Sequence, residues 1–153
     1  MSSANEVLIL GCGNLNRADD AAGLLVKGAT PVYNPLDLIE AWSGHDNVIV
    51  VDAVVSGNPP GTIIEWDAIA CPLTTANFRS STHGFGIAEA VELARALEKL
   101  PAKLTILGIE GRHFETGGSP SAEVLEAVAL IGSRSREATM ARSSETKDPR
   151  PTQ

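Results

Sequence analysis

Apolar residues in this chain occur mainly in short continuous runs, which are typical of strands buried on both faces of a sheet. The clearest runs are residues 6–11, 47–54 and 103–110. Residues 62–66 instead alternate apolar and polar side chains, as a more exposed strand does. The pattern therefore predicts three buried strands and one strand that lies nearer to solvent.

Helical spacing separates these strands. A short helix is predicted to start near Asp19, a second lies within 35–42, and the clearest spans 83–100 with one apolar face. A last helix is predicted with Ser121 as its N-cap and Gly132 as its end. Strands that alternate with helices predict an α/β fold, here a three-layer α/β/α sandwich around a mostly parallel twisted sheet.

The apolar pattern ends after Ser133, and this sets the expected domain boundary. The length of 153 residues fits one domain. We predict a single α/β domain over 1–133 and a flexible polar tail over 134–153, because the tail lacks the apolar side chains needed to bury a face.

Charge and composition exclude several classes of partner. The net charge is -7, and residues 134–153 hold five basic and three acidic side chains. The predicted domain therefore holds seven basic and sixteen acidic side chains. This excess of acidic residues argues against a nucleic-acid partner. No apolar run reaches the ~18 residues of a membrane span, and the first residues do not resemble a signal peptide. We therefore expect a cytoplasmic protein with no membrane partner and with reduced thiols at Cys12 and Cys71.

Polar residues at strand ends are the candidates for chemistry, since open α/β sheets bind ligands outside the carboxyl ends of their strands. Asp19 and Asp20 follow the first run, Asp52 ends the second, Glu110 ends the third, and His83 opens the long helix. Two carboxylates and one imidazole suit a first-row divalent ion. Asp20, Asp52 and His83 therefore form a candidate metal site.

Structural roles for the same residues stay open at this point. Asp52 also fits a helix cap or turn residue, and one acid of the pair at 19 and 20 suits the positive end of a helix. His83 also fits a helix-start histidine bonded to a backbone carbonyl. Cys12, between two glycines, is either a thiol of lowered pKa at a helix N-terminus or a small buried side chain, and we favour the buried side chain.

The glycine-rich turn after the first strand raises the question of nucleotide binding. Gly11 and Gly13 match the first two glycines of a dinucleotide fingerprint, but Asn16 stands in place of the third. The acidic residue expected about 20 positions further on is also absent. The sequence therefore disfavours a nucleotide-dependent enzyme.

Four blocks of sequence, taken together, resemble the [NiFe]-hydrogenase maturation proteases. They occur in the family's order, cover most of residues 6–132, and read GCGNLNRADDAAG, VDAVVSGNPPGTI, STHGFGIAEAVELARAL and ILGIEGRHFETGGSPSAEVLEAV. The family's metal-binding residues are the second acid of the first block, the strand-end aspartate and the histidine that opens the long helix. By this resemblance they correspond to Asp20, Asp52 and His83.

The resemblance implies an activity and a partner. It implies an aspartic-type endopeptidase that removes the C-terminal extension of a [NiFe]-hydrogenase large-subunit precursor after nickel insertion. Nickel would be presented by the precursor, and Zn²⁺ or Cd²⁺ would suit the same ligands. Asp20, Asp52 and His83 would be both metal-binding and catalytic residues. The alternative is a non-catalytic nickel-sensing or precursor-binding chaperone on the same scaffold.

One region departs from the family pattern. Between the first predicted helix and residue 35 the chain has only a short segment, where family members have a longer helix and a full second strand. About a dozen residues are missing, judged against ordinary element lengths. A shortened helix would uncover one sheet face, so we predict a homodimer that covers it.

Overall fold

The computed structural model describes residues 6–74 and 86–147, with the side chains of those up to residue 134. The strands are β1 Leu8–Cys12, β2 Thr30–Val32, β3 Asn47–Val54, β4 Ile63–Asp67 and β5 Lys103–Glu110. The helices are a 3₁₀ helix over Ala18–Leu25, α1 Asp37–Ala41, α2 Ile87–Ala96 and α3 Ala122–Lys147. Within these ranges no helix is both long and apolar enough to cross a bilayer.

The strands form one mixed sheet in the order β2-β1-β3-β5-β4. The first four of these are parallel, and β4 joins the edge antiparallel to β5. The register of β3 and β5 runs unbroken from Asn47 opposite Lys103 to Val54 opposite Glu110. The carboxyl ends of β1, β3 and β5 therefore meet at one edge of the sheet.

Alternation along the strands divides the core between the two faces of the sheet. Val48 and Val50 belong to the cluster that packs with α1 and α2, whereas Val51 and Ala53 belong to the cluster under the 3₁₀ helix and α3. Asp52 has the same parity as Val48 and Val50, so its side chain leaves β3 on the face of α1 and α2. The predicted three-layer α/β/α architecture is confirmed.

Two expectations about this architecture are wrong. The shortened region does not leave a sheet face bare, because Ile9, Val51 and Ile109 are buried there beneath the 3₁₀ helix and α3. The last helix does not end at Gly132 but continues through it to Lys147. A single glycine costs a helix only ~1 kcal/mol, and no proline follows it within the helix to stop the chain.

Candidate functional site

A cleft of about 370 Å³ opens at the carboxyl ends of β1 and β3. It is lined by the loop 12–17, by residues within 32–35, and by the side chains of Asp20 and Asp52. Those two residues are among the most deeply buried charged residues in the described chain, with 1% and 2% of their surface exposed. The fold therefore brings two of the three residues predicted from the sequence to one cleft.

Asp52 is positioned by the sheet. It lies opposite Gly108 of β5, and its Oδ1 accepts a hydrogen bond of 2.8 Å from the N–H of Ala53. That bond fixes the carboxylate against its own strand. The Asp52 carboxylate also influences Cys12, which lines the same cleft.

Cys12 is a buried thiol with a raised pKa. Burial is the main cause of the raised pKa, and the negative charge of Asp52 adds to it. The thiolate is therefore disfavoured, and the interpretation of Cys12 as a small buried side chain is confirmed. The second cysteine, Cys71, is exposed and free.

Asp20 is positioned by a close approach between the 3₁₀ helix and the turn after β1. The N–H of Asn14 donates to the carbonyl of Asp20 at 3.1 Å. Gly13 has a φ of +144°, and a Cβ atom there would lie 2.0 Å from the same carbonyl oxygen. Only glycine allows this contact, so the space beside Gly13 is filled by the chain itself.

The other glycines of this block have the same structural explanation. A Cβ atom at Gly11 would lie 1.9 Å from the carbonyl oxygen of Gly23, and one at Gly23 would lie 2.2 Å from that of Val51. The glycines thus let the 3₁₀ helix pack directly on β1 and β3. Their spacing serves helix packing, which removes the main argument for nucleotide binding.

Asp19 lies beside Asp20 but performs a different task. It is fully buried, and its carboxylate accepts four hydrogen bonds, from the backbone N–H groups of Arg112, His113 and Ser121 and from Ser121 Oγ. Burial by itself would raise the pKa of Asp19, but these hydrogen bonds outweigh it and lower the pKa below its ordinary value. The sequence assigned Asp19 only to a helix start and missed this long-range role.

Glu110 is also structural. It is 2% exposed, and its carboxylate accepts hydrogen bonds from the N–H groups of Ser56 and Gly57 and from Ser56 Oγ. These bonds hold the turn between β3 and β4. The polar residue at the end of β5 therefore shapes the rim of the sheet.

Arg17 is a residue of the cleft that sequence reasoning missed. Its Nη1 lies 3.6 Å from Asp20 Oδ2, and its Nε donates to the carbonyl of Phe114 at 3.2 Å. A lone basic residue two positions before an acidic pair was the available signal. It places a positive charge beside one of the two cleft carboxylates.

His83 lies outside the part of the chain that the structure describes, so its place as a third ligand stays a prediction. The residues on either side of that segment are bonded to α2. The N–H of Leu73 donates to Glu92 at 2.9 Å, and the N–H of Gly86 donates to Glu89 at 2.8 Å. These contacts fix where the segment leaves and rejoins the described fold.

The donor chemistry of the cleft suits a divalent cation, although the described residues hold only part of a ligand set. Nowhere in residues 6–74 and 86–134 do three or more His, Cys, Asp or Glu side chains form a group able to hold a metal ion. Asp20 and Asp52 supply carboxylate oxygens, which bind first-row divalent ions together with imidazole nitrogen. The two carboxylates therefore fit the predicted site as far as it is described.

Comparison with known proteins gives one consistent family. The family model described as hydrogenase maturation protease matches residues 23–134. The chain is similar to the hydrogenase expression/formation protein HupD of Rhizobium leguminosarum bv. viciae, at 29% identity over 76% of this chain and 65% of that protein. It is also 29% identical to the hydrogenase 2 maturation protease of Escherichia coli (strain K12), over 82% of this chain and 86% of the relative. This chain thus spans just under two-thirds of the HupD length.

Solved structures show the same fold. The hydrogenase maturating endopeptidase HybD from E. coli superimposes with a TM-score of 0.64 at 21% identity, over 93% of this chain and 94% of the other. The [NiFe] hydrogenase maturation protease HybD from Thermococcus kodakarensis gives a TM-score of 0.63 at 25% identity, over 93% and 99%. With a family match that spans most of its length, the chain belongs to the hydrogenase maturation protease family.

Proposed function

We propose that this chain is an endopeptidase that removes the C-terminal extension of a [NiFe]-hydrogenase large-subunit precursor after nickel insertion. The observation that carries the proposal is the convergence of two buried carboxylates, Asp20 and Asp52, on one cleft in a member of this family. The cleft lies at the carboxyl edge of the sheet, which is where folds of this kind usually bind their ligands.

Nickel enters this proposal as part of the substrate, held by the precursor. Asp20, Asp52 and His83 would supply oxygen and nitrogen donors to it, and Zn²⁺ or Cd²⁺ would serve as stand-ins in binding experiments. Nickel so bound would hold the scissile peptide close to the cleft and polarise its carbonyl.

The protein's own contribution is to orient the substrate and to move a proton. Asp52 is held by its place in β3 and by the hydrogen bond from the N–H of Ala53. The backbone of Asp20 is held by its close contact with Gly13. A carboxylate so placed suits the acceptance of a proton from an attacking water. Leu15 and Tyr33, 54% and 66% exposed at the cleft rim, offer apolar contact area to an extended peptide.

A non-catalytic role is the second candidate. The first helix is a 3₁₀ helix, and β2 has three residues, so the helix and the strand beside the cleft are both short. A precursor-binding or nickel-sensing chaperone would need the cleft but no proton transfer. Such a protein would bind nickel-loaded precursor without cutting it.

Incubation with nickel-loaded precursor distinguishes the two candidates. For an endopeptidase we expect a shortened large subunit with the wild type and with Asp46→Asn, and an uncut precursor with Asp52→Asn. Asp46 is a matched control because it is an exposed aspartate at the opposite end of β3. Stable binding without any cleavage by the wild type would contradict the endopeptidase and support the chaperone.

Oligomeric state and cellular location stay predictions. The homodimer was expected because a sheet face would be bare, and that reason is lost now that the face is buried. Light scattering over a wide concentration range checks for a dimer. The cytoplasmic location is checked by cell fractionation.

A further inference from the structure

Arg17 is the one cation that lines the cleft among the residues the structure describes. Its side chain is 30% exposed, whereas the side chain of its neighbour Asp20 is only 2% exposed. It also reaches across to the loop after β5 through the bond from its Nε to Phe114. Arg17 therefore connects a buried carboxylate of the cleft both to solvent and to a second loop.

The guanidinium offsets an electrostatic cost. Two carboxylates in one cleft repel each other, and burial disfavours the ionised form of each. A positive charge beside Asp20 stabilises its ionised form and lessens the negative potential that Asp52 experiences. Arg17 thus offsets part of the repulsion between the two carboxylates.

The same charge opposes a metal ion. A divalent cation that binds Asp20 does so next to a positive charge, and it competes with the guanidinium if it uses the oxygen that faces Arg17. We propose that Arg17 is a displaceable counter-ion of Asp20, which weakens the binding of free divalent cations and so favours nickel that arrives with the precursor. This inference rests on the proposed function.

The geometry makes displacement easy. The separation of 3.6 Å between Arg17 Nη1 and Asp20 Oδ2 exceeds the usual 2.7–3.2 Å of a direct hydrogen bond, so the contact is a loose ion pair. The bond from Nε to Phe114 does not involve Nη1, so a cation that takes the Asp20 oxygen replaces only the loose contact. Precursor-bound nickel gains additional contacts from the attached peptide, which a free ion lacks.

A purely structural role for Arg17 makes the opposite prediction. If Arg17 only fastens the loop 12–17 to the loop after β5, its loss would loosen the cleft and weaken every ligand. If it is a counter-ion, its loss would strengthen the binding of a free cation. An increase in affinity is therefore the informative readout, because damage to the fold does not produce one.

The test is calorimetric titration of Ni²⁺ alone into the wild type, Arg17→Gln, Arg17→Lys and Arg112→Gln. We expect Arg17→Gln to bind Ni²⁺ about ten-fold more tightly than the wild type. Loss of a neighbouring positive charge commonly shifts the equilibrium of an ionic site by that factor or more. Arg17→Lys should retain affinity near that of the wild type because it restores the charge. Arg112→Gln removes an exposed arginine outside the cleft and should change nothing.

Several outcomes would overturn the inference. They are an unchanged or weaker Ni²⁺ affinity in Arg17→Gln, the absence of Ni²⁺ binding by that variant, an equal gain in Arg112→Gln, and a gain in Arg17→Lys as large as in Arg17→Gln. The proposed endopeptidase activity is tested separately, by measuring whether the wild type cleaves the precursor. Active cleavage with unchanged Ni²⁺ affinity would reject only the role of Arg17, whereas no cleavage with a ten-fold gain would reject only the endopeptidase.

Discussion

Asp19 and Ser121 are 102 residues apart in the chain, yet one carboxylate oxygen of Asp19 accepts hydrogen bonds from both the N–H and the Oγ of Ser121, at 2.7 and 3.0 Å. The other oxygen accepts from Arg112 and His113 at 2.8 and 2.9 Å. These bonds fasten the 3₁₀ helix to the loop that leads into α3. The acidic pair is thus divided, with Asp19 holding the scaffold and Asp20 lining the cleft.

Replacing Asp19 by Ala should therefore strongly destabilise the protein. The change leaves three backbone N–H groups and a hydroxyl without their acceptor inside the fold, which should lower the free energy of unfolding by about 3 kcal/mol or more. Urea denaturation measures the change, with Asp46→Asn as a control for the loss of an exposed carboxylate. A carboxylate that only complements the start of a helix would contribute less, about 0.3–1 kcal/mol. A loss below ~1 kcal/mol would show that the four bonds contribute little.

The lowered pKa of Asp19 predicts how that stability depends on pH. A carboxylate whose folded pKa lies below its unfolded value contributes stability at neutral pH and loses it as pH falls through the folded pKa. The difference in unfolding free energy between wild type and Asp19→Asn should stay constant down to about pH 4 and shrink below it. Urea titrations across acid pH test this. A constant difference at all pH values would argue against the lowered pKa.

The strands and the site were predictable to different degrees. The bounds of β3 and β5 match the predicted runs 47–54 and 103–110, because a continuous apolar run depends on local composition. The separate tasks of Asp19 and Asp20 were not predictable, since they depend on Ser121 and other partners distant in sequence. The three-residue strand β2 was also missed, because it forms by pairing with β1 and its own sequence contains no continuous apolar run.

Glu98 offers a stabilising change outside the cleft. It has a φ of +58° just after α2, where the N–H of Lys99 bonds to the carbonyl of Ala94, as in a helix-ending motif that glycine favours. Glu98→Gly should raise the free energy of unfolding by about 1 kcal/mol, because glycine adopts this conformation without the steric cost of a Cβ atom. Thermal unfolding measures the gain, and precursor cleavage should be unaffected. A lower melting temperature would show that the Glu98 side chain makes a stabilising contact.

Glu110→Ala should loosen the turn between β3 and β4. It removes the acceptor for the N–H groups of Ser56 and Gly57, and we expect a loss of about 2 kcal/mol. Glu110→Gln keeps one acceptor oxygen and should lose less. Chemical denaturation of the two variants checks the order. Equal effects from the two would show that the charge of Glu110, rather than its acceptors, stabilises the turn.

Removal of residues 135–153 should leave the fold intact. The described side chains of α3 that pack in the core all precede this segment, and they are Val124, Ala127, Val128 and Ile131. Truncation should therefore change the melting temperature by no more than a few degrees, the equivalent of about 1 kcal/mol. A much larger drop would show that the end of α3 packs against the domain.

The strongest test of the proposed site separates activity from stability. Asp52→Asn keeps the size of the side chain and the Oδ1 acceptor for the N–H of Ala53, while it removes a negative charge from a cleft that also holds Asp20. We expect the free energy of unfolding to change by less than ~1 kcal/mol and precursor cleavage to fall by a factor of about 100 or more. Asp20→Asn and His83→Ala should share the loss of cleavage.

The double variant Asp20→Asn/Asp52→Asn shows whether the two carboxylates act as one unit. Residues that serve a single step are strongly non-additive, so the double variant should cleave no more slowly than the worse of the single variants. Additive losses would place the carboxylates in separate steps. Rates are compared with a fixed amount of nickel-loaded precursor after each variant has been shown to unfold cooperatively in urea. Cleavage by Asp52→Asn at a rate near that of the wild type would remove Asp52 from the site, and with it the assignment of the chemistry to the cleft at the carboxyl ends of β1 and β3.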